Sequence, residues 1–220
     1  MRVVIAGGHG KIALLLERLL AERGDQAVGL IRNPAQVADV RAAGAEAVVC
    51  DLETASADDV AMLLAGADAV VFAAGAGPGS GVPRKDSVDR AASVLMAQAA
   101  RRAGVCRFVQ ISSMGAGQPP RPGGGEVWAA YITAKTAAEA DLRASDLDWT
   151  ILRPGGLTDA PATGKVRLAS PPVPAGTVPR ADVAAVVAAL LGDPGTRHQT
   201  LELISGESPL ATAVHGVSRT

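Results

Sequence analysis

The chain has 220 residues, with 21 Lys and Arg against 22 Asp and Glu and a formal net charge of −1. That length fits one domain with a real core, and that charge gives no basic footprint for nucleic acid or an anionic membrane. No apolar run reaches the about 18 residues of a membrane span, and Cys50 and Cys106, without metal-site spacing, fit a reduced, cytoplasmic setting.

Val3 to Ala6 is a short, β-branched apolar run and reads as a strand buried on both faces. The chain enters that strand at once, which leaves no room for a signal peptide. Gly7, Gly8, His9 and Gly10 follow. Ile12, Leu15, Leu16, Leu19 and Leu20 then recur at helical spacing, so a helix starts near Lys11 and ends around Gly24. Strand, glycine turn and helix aim backbone N–H groups and a positive helix end at a pyrophosphate. In Gly7-x-x-Gly10-x-x-Ala13, Gly7 allows the turn, Gly10 lets phosphate approach, and Ala13 lets helix and strand pack closely. A triphosphate P-loop does not fit, because Ile5 and Ile12 stand where Gly and Ser/Thr are needed.

Ala27 to Ile31 is a second strand, and Pro34 opens the next helix. Arg32 ends that strand, where an Arg accommodates the 2′-phosphate of NADP and an acid would bind the ribose hydroxyl of NAD; the plain alternative is a surface arginine. Ala45 to Cys50 is the third strand. Asp51 after it is either an adenine ligand, with Leu52 packing on the ring, or a turn residue. A helix over Asp58–Leu64 leads to a fourth strand, Ala69 to Phe72. That strand runs into Ala73, Ala74 and Gly75, small enough for a flat ring to lie on the backbone, where a doubly wound sheet opens its crevice.

Residues 77–83 form a loop before a long helix over 84–102, on which Lys85 and Asp89 are spaced as an i,i+4 ion pair. Cys106 to Ile111 is the fifth strand, with Ser112 and Ser113 at its carboxyl end. The Gly- and Pro-rich stretch 115–125 reads as a mobile lid. On the helix from about Trp128 to Ala144, Tyr131 and Lys135 face the same way. Tyr131 is the only tyrosine. A phenol titrates near ~10 and a neighbouring ammonium lowers that value, so the pair suits proton exchange with a carbonyl or alcohol; alone, it could equally be a core-margin tyrosine beside a chance lysine. Trp149 to Arg153 is a sixth strand, closed by Pro154, Gly155 and Gly156. Residues 157–179 read as loop with a short strand at Lys165–Leu168. A helix over Arg180–Leu191, a strand over Thr200–Ile204 and a short terminal helix capped by Ser208-Pro209 finish the chain, leaving no room for a large substrate domain. His198 and His215 read as structural or surface residues.

Taken in order, Gly7-x-x-Gly10-x-x-Ala13, Arg32, Asp51-Leu52, Ala73-Ala74-Gly75, Ser112-Ser113, Tyr131-x-x-x-Lys135 and Arg153-Pro154-Gly155 resemble an atypical short-chain dehydrogenase/reductase. The likeness spans nearly the whole chain. It is nearest to compact bacterial NAD(P)-binding proteins of the NAD-dependent epimerase/dehydratase-like type. The resemblance implies an α/β Rossmann fold, with a doubly wound, mostly parallel sheet of about seven strands and helices on both faces. It implies NADP held by Gly7, Gly8, His9, Gly10, Lys11, Ile12, Arg32, Asp51, Leu52, Ala73, Ala74, Gly75, Lys135 and Pro154. It implies Tyr131 as catalytic acid, Lys135 as its partner and ribose ligand, and Ser113, with Ser112 as alternate, holding the substrate oxygen. The wider family's helical Asn is missing, and Asp89 takes its place. The expected activity is an NADP-dependent oxidoreductase or epimerase acting on a small carbonyl or alcohol, with loops 77–83, 115–125 and 156–179 covering the substrate. The alternatives are a non-catalytic NADP(H) sensor, or a flavin or tetrapyrrole reductase without a tyrosine acid. The pattern names neither substrate nor oligomeric state.

Overall fold

The computed structural model describes residues 1–77, 79–120 and 123–218. In chain order the elements are β1 (Arg2–Ala6), α1 (Lys11–Glu22), β2 (Gln26–Ile31), α2 (Val37–Ala42), β3 (Glu46–Val49), α3 (Ala57–Leu64) and β4 (Ala69–Phe72). Next come α4 (Gly81–Arg84), a π-helical stretch (Lys85–Ala91), α5 (Ala92–Arg102), β5 (Arg107–Ile111), α6 (Glu126–Arg143) and β6 (Asp148–Pro154). The chain continues through β7 (Gly156–Thr158), β8 (Lys165–Ala169), β9 (Thr177–Pro179), α7 (Arg180–Leu191), β10 (Gln199–Ser205), β11 (Ser208–Pro209) and α8 (Leu210–Val217).

The main sheet runs β11-β8-β10-β6-β5-β4-β1-β2-β3. From β3 to β10 every neighbouring pair is parallel. β8 and β11 add two antiparallel strands at the far edge. The main sheet therefore has nine strands rather than about seven; the parallel ones follow the apolar runs. The extra β11 is Ser208-Pro209, expected as a helix cap, which pairs with β8 before α8 begins. Within 157–179, expected to be mostly loop, β7 and β9 pair in a separate parallel ribbon.

Strand pleating explains the two-sided core. Successive side chains point to opposite faces. Val3 and Ile5 join Leu16 and Leu20 of α1, Val183 and Val187 of α7 and Val214 of α8. Val4 and Ala6 join Val60 and Leu64 of α3, Met96 of α5 and Leu142 of α6. Ser56 starts α3 with a reciprocal cap: its hydroxyl accepts from Asp59 N, and Asp59 Oδ2 accepts from Ser56 N, satisfying donors that a helix start leaves open.

β1 lies between β2 and β4, where the strand order reverses. Such a reversal opens a crevice at the carboxyl ends of the strands. Gly7 takes φ of +77°, and a Cβ there would stand 2.7 Å from Ala74 Cα. A Cβ on Gly8 would stand 2.6 Å from Gly29 Cα of β2, and Gly8 N donates to Leu30 O at 2.9 Å. Both glycines are thus required by backbones in near contact.

Beneath that loop sits Glu17 of α1, fully buried, with neither carboxyl oxygen hydrogen-bonded to a described residue. Its Oε1 is 2.6 Å from where a Gly29 Cβ would be. Burial pushes its pKa up to about 8, because an unpaired buried charge is costly. The unfolded group titrates near 4.5, so between these values the folded state holds a proton that the unfolded state has lost. Stability from Glu17 therefore falls as pH rises through that window and levels off above it, by at most about 1.4 kcal/mol per pH unit. Denaturant melts from pH 5 to 8 should show this decline in wild type, and Glu17→Gln should flatten it.

Candidate active site

The glycine loop and the ends of β2, β3 and β4 enclose a cleft of about 330 Å³, lined among others by Gly7, Gly10, Arg32, Leu52, Ala74 and Gly75. A Cβ on Gly10 would stand 3.1 Å from Gly7 O and 3.9 Å from Ala13 Cβ and Ala73 O. Gly10 precedes α1, whose first turn carries no acidic residue and whose start has no side-chain cap. Its N–H groups suit an anion. These features fit the pyrophosphate of a dinucleotide.

His9, Lys11, Arg32 and Asp51 around the loop each have a polar partner. His9 Nε2 is 2.8 Å from Asp39 Oδ2. Lys11 Nζ donates to Asp159 Oδ2 at 2.6 Å, and Arg180 Nη1 donates to Asp159 Oδ1 at 2.7 Å. This carboxylate ties the segment after β7 to the start of α1. Ile12 packs against the core. Arg32 Nη1 donates to Glu53 Oε2 at 2.9 Å. Asp51 serves turn chemistry, its Oδ1 accepting from Glu53 N at 3.0 Å, while it also lines the cleft. Leu52 packs partly against the core below.

Past Gly75, where a Cβ would stand 3.2 Å from Asp89 Oδ1, the Asp89–Lys135 pair leads to α6. Lys135 is almost fully buried, and its Nζ lies 3.2 Å from Asp89 Oδ1 and donates to Ile111 O at 3.4 Å. It stands 5.8 Å from the Tyr131 ring centre and 5.7 Å from that of Phe72. Asp89 Oδ2 accepts from Ala76 N at 3.2 Å, fastening the loop after β4. The half-buried Tyr131 uses its hydroxyl for no hydrogen bond to a described residue, and its ring is 5.6 Å from that of Trp128. Asp89 therefore pairs with Lys135, not with Lys85 as the i,i+4 spacing predicts. Both lie in the π-helical stretch, whose wider turn alters which side chains meet. Lys85 instead donates to Gly77 O at 2.9 Å and lies 5.4 Å from the Tyr131 ring centre, so two lysines approach the tyrosine. That second lysine was hidden by reading it as the partner of Asp89.

The two serines part company. Ser112 turns inward, and its hydroxyl donates to Glu139 Oε1 at 2.6 Å. Glu139 stands one turn beyond Lys135 and also receives Nε and Nη2 of Arg153. Burial opposes its charge, but the bonds from Arg153 and Ser112 hold its carboxyl below the usual range. Ser113 has only a local bond, its hydroxyl donating to Met114 O at 3.2 Å, which leaves Ser113 the one of the pair free to meet a substrate. Pro154 O accepts from Met114 N at 3.0 Å, so the end of β6 holds this loop. Gly117, at φ +80°, passes over Arg153, where a Cβ would be 2.9 Å from Nη2. Pro78 in segment 77–83 and Arg121 and Pro122 in segment 115–125 lie outside the described residues; residues 81–83, expected to be loop, are helical, in α4.

No helix among the described residues is long and apolar enough to cross a membrane, and no described His, Cys, Asp and Glu cluster could hold a metal. Both cysteines are free. A family model for NAD(P)H-binding proteins matches residues 7–194. The uncharacterized sugar epimerase YhfK of Bacillus subtilis is 35% identical over 215 residues, covering 97% of this chain and 99% of that one. A solved structure described as an NAD-dependent epimerase/dehydratase from Bacillus halodurans superposes with a TM-score of 0.90 at 35% identity, covering 98% of this chain and 99% of its own. ChuY, an anaerobillin reductase of Escherichia coli O157:H7, has a TM-score of 0.75 at 27% identity, covering 93% of this chain and 97% of its own. The chain belongs to the NAD(P)H-binding family, among epimerase- and short-chain-dehydrogenase-like proteins of the Rossmann fold.

Proposed function

We propose that the protein is an NADP-dependent oxidoreductase that exchanges a hydride with a small carbonyl or alcohol, with Tyr131 as general acid and base. One observation carries this reading: the buried Lys135, fixed by Asp89 and by Ile111 O at the end of β5, lies beside Tyr131. Bound NADPH supplies the hydride for an electrophilic carbon. The chain supplies everything around that event. First-turn N–H groups of α1 and the open face of Gly10 hold phosphate. Ala73, Ala74 and Gly75 give the adenine and ribose side a flat wall. Lys135 is placed to hold the nicotinamide ribose while its charge faces Tyr131. Ser113 donates to the substrate oxygen, and the Tyr131 hydroxyl gives that oxygen its proton. Asp89 keeps the lysine in place. The relatives' names support redox or epimerase chemistry, and ChuY is described as an anaerobillin reductase, so such substrates belong in any panel.

With aldehydes, ketones, sugars, quinones and open tetrapyrroles screened by NADPH oxidation, Tyr131→Phe should keep NADPH affinity while turnover falls about 10²- to 10⁴-fold. Lys135→Ala should weaken both. Full turnover in Tyr131→Phe would make the tyrosine structural; tight NADPH binding with no turnover on any substrate would favour the sensor.

Arg32 supports NADP over NAD. Isothermal titration should give NADPH an advantage over NADH of about tenfold, and Arg32→Ala should remove it. Gly10→Val should abolish binding of both while a cooperative thermal melt shows that the fold survives, since its side chain would enter the phosphate space. Equal affinities in wild type would contradict the NADP assignment.

A further inference from the structure

Arg32 does not wait alone at the cleft. Glu53 Oε2 accepts from Arg32 Nη1 at 2.9 Å and from Arg84 Nη2 at 2.7 Å, and its Oε1 accepts from Ser87 Oγ at 2.6 Å. Three separate elements converge here. Arg32 follows β2, Glu53 lies in the turn after β3, and Arg84 ends α4. Arg32, Glu53 and Arg84 all line the cleft that holds the glycine loop.

Two guanidiniums and a hydroxyl around one anionic group form the donor set a phosphate takes. Here a carboxylate occupies it. The backbone of Glu53 is fixed by Asp51, whose Oδ1 accepts from Glu53 N, so the turn presents the side chain to both arginines. Its hydrogen bonds from Ser87 and Arg84 outweigh the cost of partial burial and hold the carboxyl below its usual range. The guanidiniums are 54% and 36% exposed and Glu53 is 23% exposed. Ion pairs this open contribute little to stability, so their rearrangement is cheap. A monoester phosphate carries more charge than a carboxylate and three acceptor oxygens.

Resting on the reading that this cleft takes an adenine dinucleotide, we infer that Glu53 is a built-in competitor for the 2′-phosphate, and that Arg84 joins Arg32 as the cation pair for which the two anions compete. NADP(H) binds by displacing the carboxylate from the arginines. NAD(H), with a hydroxyl there, leaves the pair latched. Glu53 thereby sets how strongly the protein separates the two dinucleotides, below what two arginines would otherwise allow.

The test uses adenosine 2′,5′-bisphosphate and 5′-AMP as probes of the adenine end, alongside NADPH and NADH, by calorimetry. Glu53→Gln keeps shape and removes charge; Glu53→Ala checks that the glutamine amide adds nothing, and thermal melts confirm folding. Both variants should tighten the bisphosphate and NADPH by on the order of three- to tenfold and leave AMP and NADH within about twofold. Arg84→Ala should weaken only the 2′-phosphorylated ligands, about tenfold. Weaker bisphosphate binding in Glu53→Gln would overturn the proposal and make Glu53 the residue that orients the arginines. Weaker AMP and NADH binding would make it a ribose-hydroxyl ligand, and no change would leave it outside the subsite. A wild type that favours NADH would contradict only the NADP assignment. A selective gain of 2′-phosphate affinity on removing Glu53 would still show the competition.

Discussion

The site rests on how closely three backbones meet at the end of β1. Gly7 presses on Ala74 after β4, and Gly8 on Gly29 of β2, at distances that leave no room for a Cβ. Buried strands on both sides of β1 fix those contacts, so the turn has no slack. Because it has none, α1 starts where the strand order reverses and its N–H groups open on the crevice. A larger residue at Gly7 or Gly8 would push the adjoining strand ends apart, and the cleft would lose its shape before any binding residue was touched. The cost of the arrangement is visible underneath, where Glu17 fills the space against Gly29 with no hydrogen-bonding partner among the described residues.

Charge is organised with the same economy. His9 faces Asp39, Lys11 faces Asp159, and Arg32 faces Glu53. Two of these carboxylates are shared, Asp159 with Arg180 and Glu53 with Arg84, and on the proposed reading a dinucleotide would exchange partners with them. Deeper in, the exchange stops. Lys135 and Asp89 are buried together, and breaking such a pair leaves an uncompensated charge at large cost. The outer cations can therefore adapt to a ligand, whereas the inner lysine holds its place beside Tyr131. Glu139 extends that rigidity, holding Ser112 and Arg153 under the loop that carries Ser113.

Strands such as β1 and β4 are readable because Val3–Ala6 and Ala69–Phe72 are unbroken apolar runs, and helices such as α1 because they carry an apolar stripe. The order of small residues, serines and Tyr131-x-x-x-Lys135 was readable for the same reason: spacing on a regular element fixes direction. Where regularity failed, so did the reading. An α-helical rule paired Lys85 with Asp89, but the π-helical turn sends Asp89 to Lys135 and Lys85 to Gly77 and the Tyr131 ring. Adjacent Ser112 and Ser113 looked interchangeable until Glu139, 27 residues away from Ser112, claimed one of them. Glu53 and Arg84 gave no local signal, since their meaning lies in a contact between residues 31 apart. The short β7, β9 and β11 strands pair through backbone contacts that no periodicity over two or three residues could announce.

A crystal structure of the chain with NADP⁺ tests the central claim most directly. The account predicts pyrophosphate oxygens on the N–H groups that follow Gly10, the nicotinamide ribose on Lys135, and the nicotinamide ring beside Tyr131 and Ser113. A dinucleotide bound outside this cleft, or one whose nicotinamide turns away from Lys135 and Tyr131, would contradict it.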